Sequence, residues 1–342
     1  MLLAIDHWHI EPSSICTLKC PRCPRAELPE SLLNKQLKLD FFKNQIGETI
    51  ARKIKKITFC GNDGDPIYCK DLIEICIWFK TLNPSIQIVI VTNGSYKPAD
   101  WWQYLGRVLD IHDELHFSLD GWDQESNQKY RINCNWESIV QGIKAFRSVN
   151  HTTFLVRDTI AFKFNEQELF PTMFRQSVDL GFDLFQLTKS TKFNSHYPDA
   201  YPNDDLEPSS EYVAQGHRFE RVLTPITNRL RPGKELKTIF STRAKNLTKH
   251  NTHSGICLIG NKGVFLNSQG EFYPCCWTAN RYSHNSEWHN LAKTQFNLYK
   301  QTIEDILADT FWSTKFLEFS SFECKSKCTK EKLLDENHTL EW

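Results

Sequence analysis

Residues 38–187 alternate between two hydrophobic rhythms. Short runs at 57–60, 86–91, 114–119, 159–164 and 183–187 have the length and the β-branched and aromatic content of buried strands. Between them, apolar residues recur at helical spacing. Residues 38–54 are helix-like, and Leu72, Ile75, Cys76 and Phe79 follow Asp71, a residue type that caps helices. A Trp-rich helix is expected over 101–109. Asn135 can cap a helix whose Ile139, Ile143 and Phe146 share one face, and another helix starts near Glu168. With a strand through Trp8, His9 and Ile10, the chain has about six strand–helix units, which predicts parallel strands with helices outside.

In such a sheet, ligands sit at the C-terminal ends of the strands. Polar or glycine-containing segments fall there: Gly61-Asn62-Asp63-Gly64-Asp65-Pro66, then Asn93-Gly94, then Ser118, Asp120 and Gly121, and more weakly Lys163 and Asn165. Glycine lets the backbone approach a ligand closely. Taken singly, each segment also reads as an ordinary turn between strand and helix.

Charge excludes more than it suggests. Lys plus Arg and Asp plus Glu each number 41 in 342 residues, so the whole-chain balance favours neither a polyanion nor a membrane surface. The N-terminus has no basic segment before an apolar run, and no uninterrupted apolar stretch reaches membrane-spanning length. A cytoplasmic protein with no membrane partner is expected. Its 12 cysteines cluster at metal-ligand spacings, which favours reduced thiols over disulfides.

Cys16, Cys20 and Cys23 are spaced C-x3-C-x2-C on one short segment. Three thiolates at this spacing can hold an iron–sulfur cluster and leave one iron without a protein ligand, an open site for chemistry. A structural zinc would want a fourth ligand, and His7 and His9 would have to fold back to supply it. Cys60 and Cys76 read as core, and Cys69 and Cys134 as loop thiols.

The cysteine spacing resembles the signature of the radical SAM superfamily, as does the order of the strand-end segments behind it. The resemblance implies a partial (β/α)6 TIM-like barrel, a 4Fe-4S cluster on Cys16, Cys20 and Cys23, and S-adenosylmethionine (SAM) chelated at the open iron. Reductive cleavage would then give methionine and a 5'-deoxyadenosyl radical that takes hydrogen from a substrate. An external reductant such as flavodoxin or ferredoxin is implied. Gly61, Asn62, Gly64 and Asp65 resemble the family's Gly-Gly-Glu-Pro segment, with Asp65 where Glu is usual and placed for the SAM ammonium. Asn93 ends the third strand. Ser118 and Asp120 are candidates for the SAM ribose or methionine moiety, and Arg131 for its carboxylate.

A second set of cysteines follows residue 255. Residues 263–267 and 271–274 flank Asn267-Ser268-Gln269-Gly270 as a β-hairpin, which would bring Cys257 and Cys275 together; Cys324 and Cys328 follow at C-x3-C spacing. The pattern resembles a SPASM or twitch auxiliary module with four of the seven cysteines of a full one. It implies one auxiliary 4Fe-4S cluster on Cys257, Cys275, Cys324 and Cys328, with Cys276 the rival to Cys275 and a four-cysteine zinc site the alternative. The expected organisation is a core over 1–194, a polar and basic linker or insertion over 195–255, and a small C-terminal domain of β-hairpin plus helix over 256–342. Family activities point to a peptide or protein side chain as substrate. The basic run of Arg229, Arg231, Lys234, Lys237, Arg243, Lys245 and Lys249 leaves an RNA- or nucleotide-modifying enzyme open. A non-catalytic iron–sulfur or zinc scaffold is the third reading. No catalytic side chain is singled out.

Overall fold

The computed structural model describes residues 5–27, 29, 32–189, 204–209, 218–222, 264–279 and 286–313. Cys257, Cys324, Cys328 and the basic run at 229–249 lie outside them. The fold is α/β, built on parallel strands in open rather than closed arrangement, and the chain divides into two compact units.

The first unit comprises residues 1–15, 33–87 and 233–342. Here β1 (His7–Ile10) pairs in parallel with β2 (Lys56–Phe59), and on its other side with β8 (Val264–Leu266); β8 turns back into β9 (Phe272–Tyr273). The hairpin expected from the sequence is therefore present, and its first strand extends the parallel run. Trp8, Ile10, Ile57 and Phe59 are fully buried, each contributing about 1.5–3 kcal/mol. The helix after Asp71 spans Leu72–Leu82 and buries Leu72, Ile75, Cys76 and Phe79, as the spacing requires. The helix-like stretch at 38–54 is broken: α-helical Leu39–Phe41 passes into a π-helical Phe42–Ile46 and then Gly47–Ala51, with Gly47 at φ 71° where the register changes.

The second unit comprises residues 16–32 and 88–232. Its parallel strands run from β3 (Gln87–Thr92, the unit taking it from Ile88) through β4 (Glu114–Ser118) and β5 (Phe154–Ala161) to β6 (Leu184–Lys189). An antiparallel β7 (Arg218–Val222) then pairs with β6, a strand inside the stretch read as linker or insertion. The helices Ala99–Val108 and Trp136–Val149 pack on one side, where Trp102 lies 5.2 Å from Phe117 between ring centroids. Asn135 caps the second of these helices through Ser138 N, as read from the sequence. β5 begins and ends earlier than expected. Its middle carries Arg157 and Asp158, charges that mask a strand whose apolar residues do not form one run.

Among the described residues no helix is long and apolar enough to cross a membrane.

Candidate functional site

In the second unit, the turn after β4 fixes the cysteine segment's surroundings. Asn127 Oδ1 accepts from the backbone N–H groups of Asp120 and Gly121, closing the turn, and the helix Gln124–Gln128 starts in a capping box between Asp123 and Ser126. The chain that follows reaches Arg131, whose Nε donates to Asp120 Oδ2 at 2.5 Å. Asp120 is fully buried, and its Oδ1 accepts from Ile160 N at 2.7 Å. The geometry thus makes Asp120 the anchor of Arg131. Arg131 keeps 18% of its side chain exposed and lies over the Tyr130 ring.

The same turn holds the cysteine segment. Lys19 N donates to Ile132 O, and Asn133 Nδ2 donates to Thr17 O. Cys16, Cys20 and Cys23 are free thiols; Cys20 is buried, the other two partly so. Two N–H groups point at Cys16 Sγ, Leu18 N at 3.4 Å and Asn93 Nδ2 at 3.6 Å. Burial pushes the Cys20 thiol up to about 11, against the hydrogen bond and charge of Arg131, which favour the thiolate. Donors and a guanidinium around sulfur suit thiolate ligands of an iron–sulfur cluster. Among the described residues no group of three or more His, Cys, Asp or Glu side chains is set to hold a metal ion.

Of the other residues named from sequence in this unit, Asn93 also accepts from Ser95 N through Oδ1, and Ser118 is half-buried at the end of β4. Asn165 is buried as a staple, donating to Asp120 O and Ile160 O, while Lys163 is an exposed partner of Glu207. Cys134 lies in a loop, as read from the sequence, and is buried there, with Asn127 Nδ2 donating to its sulfur.

In the first unit, Gly61-Asn62-Asp63-Gly64-Asp65-Pro66 is organised by a residue the sequence reading missed. Glu11, almost fully buried after β1, accepts from Asp63 N and Gly64 N through Oε1 at 2.7 and 2.8 Å. Gly64 permits a close approach, but to the chain itself: a Cβ there would stand 1.9 Å from Ser13 O. Asp65 N donates to Ile15 O, and the Asp65 side chain caps the Pro66–Tyr68 turn through Ile67 N. Asn62 Nδ2 donates to Cys276 O, which ties the segment after the hairpin to this loop. Cys275 and Cys276 are both partly buried free thiols; Cys69 is buried and donates to Leu37 O. The position of Glu11, directly after β1, was the signal that could have found it.

A second feature missed from sequence lies on β4, β5 and β6. Leu115 and Phe117 face the helices, so Glu114, His116 and Ser118 take the opposite face by strand alternation. There His116 Nδ1 lies 2.8 Å from Asp158 Oδ2 and its Nε2 3.1 Å from Glu114 Oε2, while Gln186 Nε2 donates to Asp158 Oδ1 at 2.7 Å. Burial opposes the imidazolium, but the two carboxylates outweigh it and push His116 up to about 9.

Comparison with known proteins adds the following. Residues 10–173 match the family model of the radical SAM superfamily. Molybdenum cofactor biosynthesis protein 1 of Drosophila melanogaster is 28% identical over 159 residues, 45% of this chain and 26% of that protein, so the match spans about a quarter of the curated relative's length. Among solved structures, SuiB of Streptococcus suis is 15% identical with a TM-score of 0.58 over 97% of this chain and 71% of its own; a second SuiB structure holds the precursor peptide SuiA. Native anSMEcpe with bound AdoMet and Cp18Cys peptide is 14% identical with a TM-score of 0.56, over 96% of this chain and 87% of its own. At these identities the likeness establishes the fold alone, an open parallel-strand α/β core.

Proposed function

We propose, from a core that matches the radical SAM superfamily over residues 10–173, that this protein is a SAM-dependent radical enzyme acting on a peptide or protein side chain. The observation that carries the reading is the set of three free thiols at Cys16, Cys20 and Cys23, with N–H donors on Cys16 and a guanidinium on Cys20. These residues would hold a 4Fe-4S cluster. When bound, cluster and SAM would supply a 5'-deoxyadenosyl radical for hydrogen abstraction.

The chain's own contribution is placement. Arg131, steadied by Asp120, offers guanidinium N–H groups to the SAM carboxylate, and a planar fork matches a carboxylate well. Asp65, whose Oδ1 accepts from Ile67 N, is the acidic side chain proposed for the SAM ammonium. Gly61, Asn62, Gly64, Asn93 and Ser118 complete the proposed SAM contacts. An auxiliary 4Fe-4S cluster on Cys257, Cys275, Cys324 and Cys328 is proposed for a domain over 256–342 that follows a core over 1–194. The peptides bound by SuiB and anSMEcpe support a polypeptide substrate. The match to Molybdenum cofactor biosynthesis protein 1 supports a second reading, a small-molecule or nucleotide substrate. A cytoplasmic location and reduction by a flavodoxin or ferredoxin belong to the same proposal.

Iron and sulfide analysis after anaerobic reconstitution tests the ligand assignment. Replacing Cys16, Cys20 and Cys23 together by Ala should remove one cluster's worth of iron and leave the absorption of a second cluster. Stoichiometric zinc with no iron in the native protein would overturn the reading.

A further inference from the structure

A parallel sheet is ordinarily apolar on both faces, because helices or other packing cover both. The second unit departs from this on the face of β4, β5 and β6 turned away from its helices. Glu114, His116 and Ser118 on β4, Asp158 on β5 and Gln186 on β6 share it, and the three titratable side chains are only 10–18% exposed. Buried ionisable groups cost stability unless satisfied, so a row of them in place of Val or Ile calls for a use.

The donor and acceptor inventory says what that use is. Both imidazole nitrogens of His116 are engaged, Nδ1 with Asp158 and Nε2 with Glu114, so His116 has no N–H left for a ligand. Asp158 is different. Each carboxylate oxygen takes one hydrogen bond, Oδ2 from His116 and Oδ1 from Gln186, and each keeps a second lone pair. One histidine lies between two carboxyl groups, so acidic side chains outnumber basic ones in this row. The row presents acceptors and a negative field, which suits a cation and repels phosphate.

We propose that Asp158 is the substrate-recognition residue of this sheet face, accepting hydrogen bonds from a cationic, donor-rich side chain such as lysine or arginine of a polypeptide, and that His116 is the residue that positions it. The proposal deepens the function given above and rests on it for the polypeptide; the binding itself requires no turnover. His116 clamps the carboxylate in one orientation and tempers its charge, while Gln186 holds the other oxygen.

The test is fluorescence anisotropy on the full-length, anaerobically reconstituted protein with fluorescein-labelled Gly-Gly-Lys-Gly-Gly, its norleucine counterpart and its glutamate counterpart. The native protein should bind the lysine peptide about tenfold more tightly than the norleucine one, and the glutamate peptide least. Asp158→Asn should abolish the preference, whereas His116→Gln, which removes the tempering positive charge, should enlarge it; a merely structural network would lose binding in both. Added salt should shrink the native preference, a readout that needs no variant. Equal behaviour of the lysine and norleucine peptides with native protein, or a folded Asp158→Asn that keeps the preference, overturns the proposal. Loss of the radical SAM reading would show separately, as absent iron with the preference intact.

Discussion

Arg147 and Arg131 each reach an aspartate at 2.5 Å, Asp183 and Asp120 respectively, within the same unit. Their remaining bonds separate them. Arg147 donates also to the backbone carbonyls of Gly181, Asn150 and Thr153, and Asp183 Oδ2 accepts from Leu155 N as well, so the guanidinium is saturated by the chain and stitches a helix end to β5 and β6. Arg131 has Asp120, the Cys20 sulfur and the face of Tyr130, and no backbone carbonyl among its hydrogen bonds. A guanidinium carries five N–H donors, so the second arginine is anchored at one edge and open at the other. A saturated ion pair holds structure; one with unused donors beside Cys20 is where the proposed function puts a ligand.

Breaking each pair should separate the two roles. Arg147→Ala leaves Asp183 buried without its cation, and urea denaturation should show a loss of about 3–5 kcal/mol. SAM affinity of the folded fraction should be unchanged.

His116 sharpens the contrast, because its ion pairs depend on pH. Its folded value of about 9 lies above the ordinary value near 6.5, so its ion pairs stabilise fully below about pH 6.5 and lose that contribution as pH rises through about 9. Stability measured at pH 7 and at pH 9.5 should differ by on the order of 2 kcal/mol, after allowance for partial screening by solvent, and His116→Gln should flatten the difference.

Arg131→Lys keeps the charge and removes the fork. Equilibrium dialysis should show SAM binding weakened about tenfold, with the iron content unchanged. Asp123→Ala, which removes the capping box ahead of Arg131, should cost about 1 kcal/mol in stability.

The periodic parts of the fold were legible because burial dictates them locally: Ile139, Ile143 and Phe146 on one helix, 86–91 as a strand, and the hairpin across Gly270. The cysteine segment stood out for a different reason, since its C-x3-C-x2-C spacing falls within eight residues. What escaped was non-local or masked by charge. The pairing of β8 with β1 joins residues some 250 positions apart. Arg157 and Asp158 hid the first half of β5, and with it the polar face. Glu11 organises a loop fifty residues away, a relation that no spacing records. Asp120 was read from the sequence as a candidate SAM contact; in the structure one of its oxygens accepts from Arg131 and the other from Ile160 N, a relation that its place at a strand end does not record.

The central claim is that Cys16, Cys20 and Cys23 support SAM chemistry. Release of 5'-deoxyadenosine, measured after anaerobic incubation of the reconstituted protein with SAM and dithionite, tests it most directly. The account predicts release by the native chain and none by the variant with all three cysteines replaced by Ala; undiminished release by that variant would contradict it.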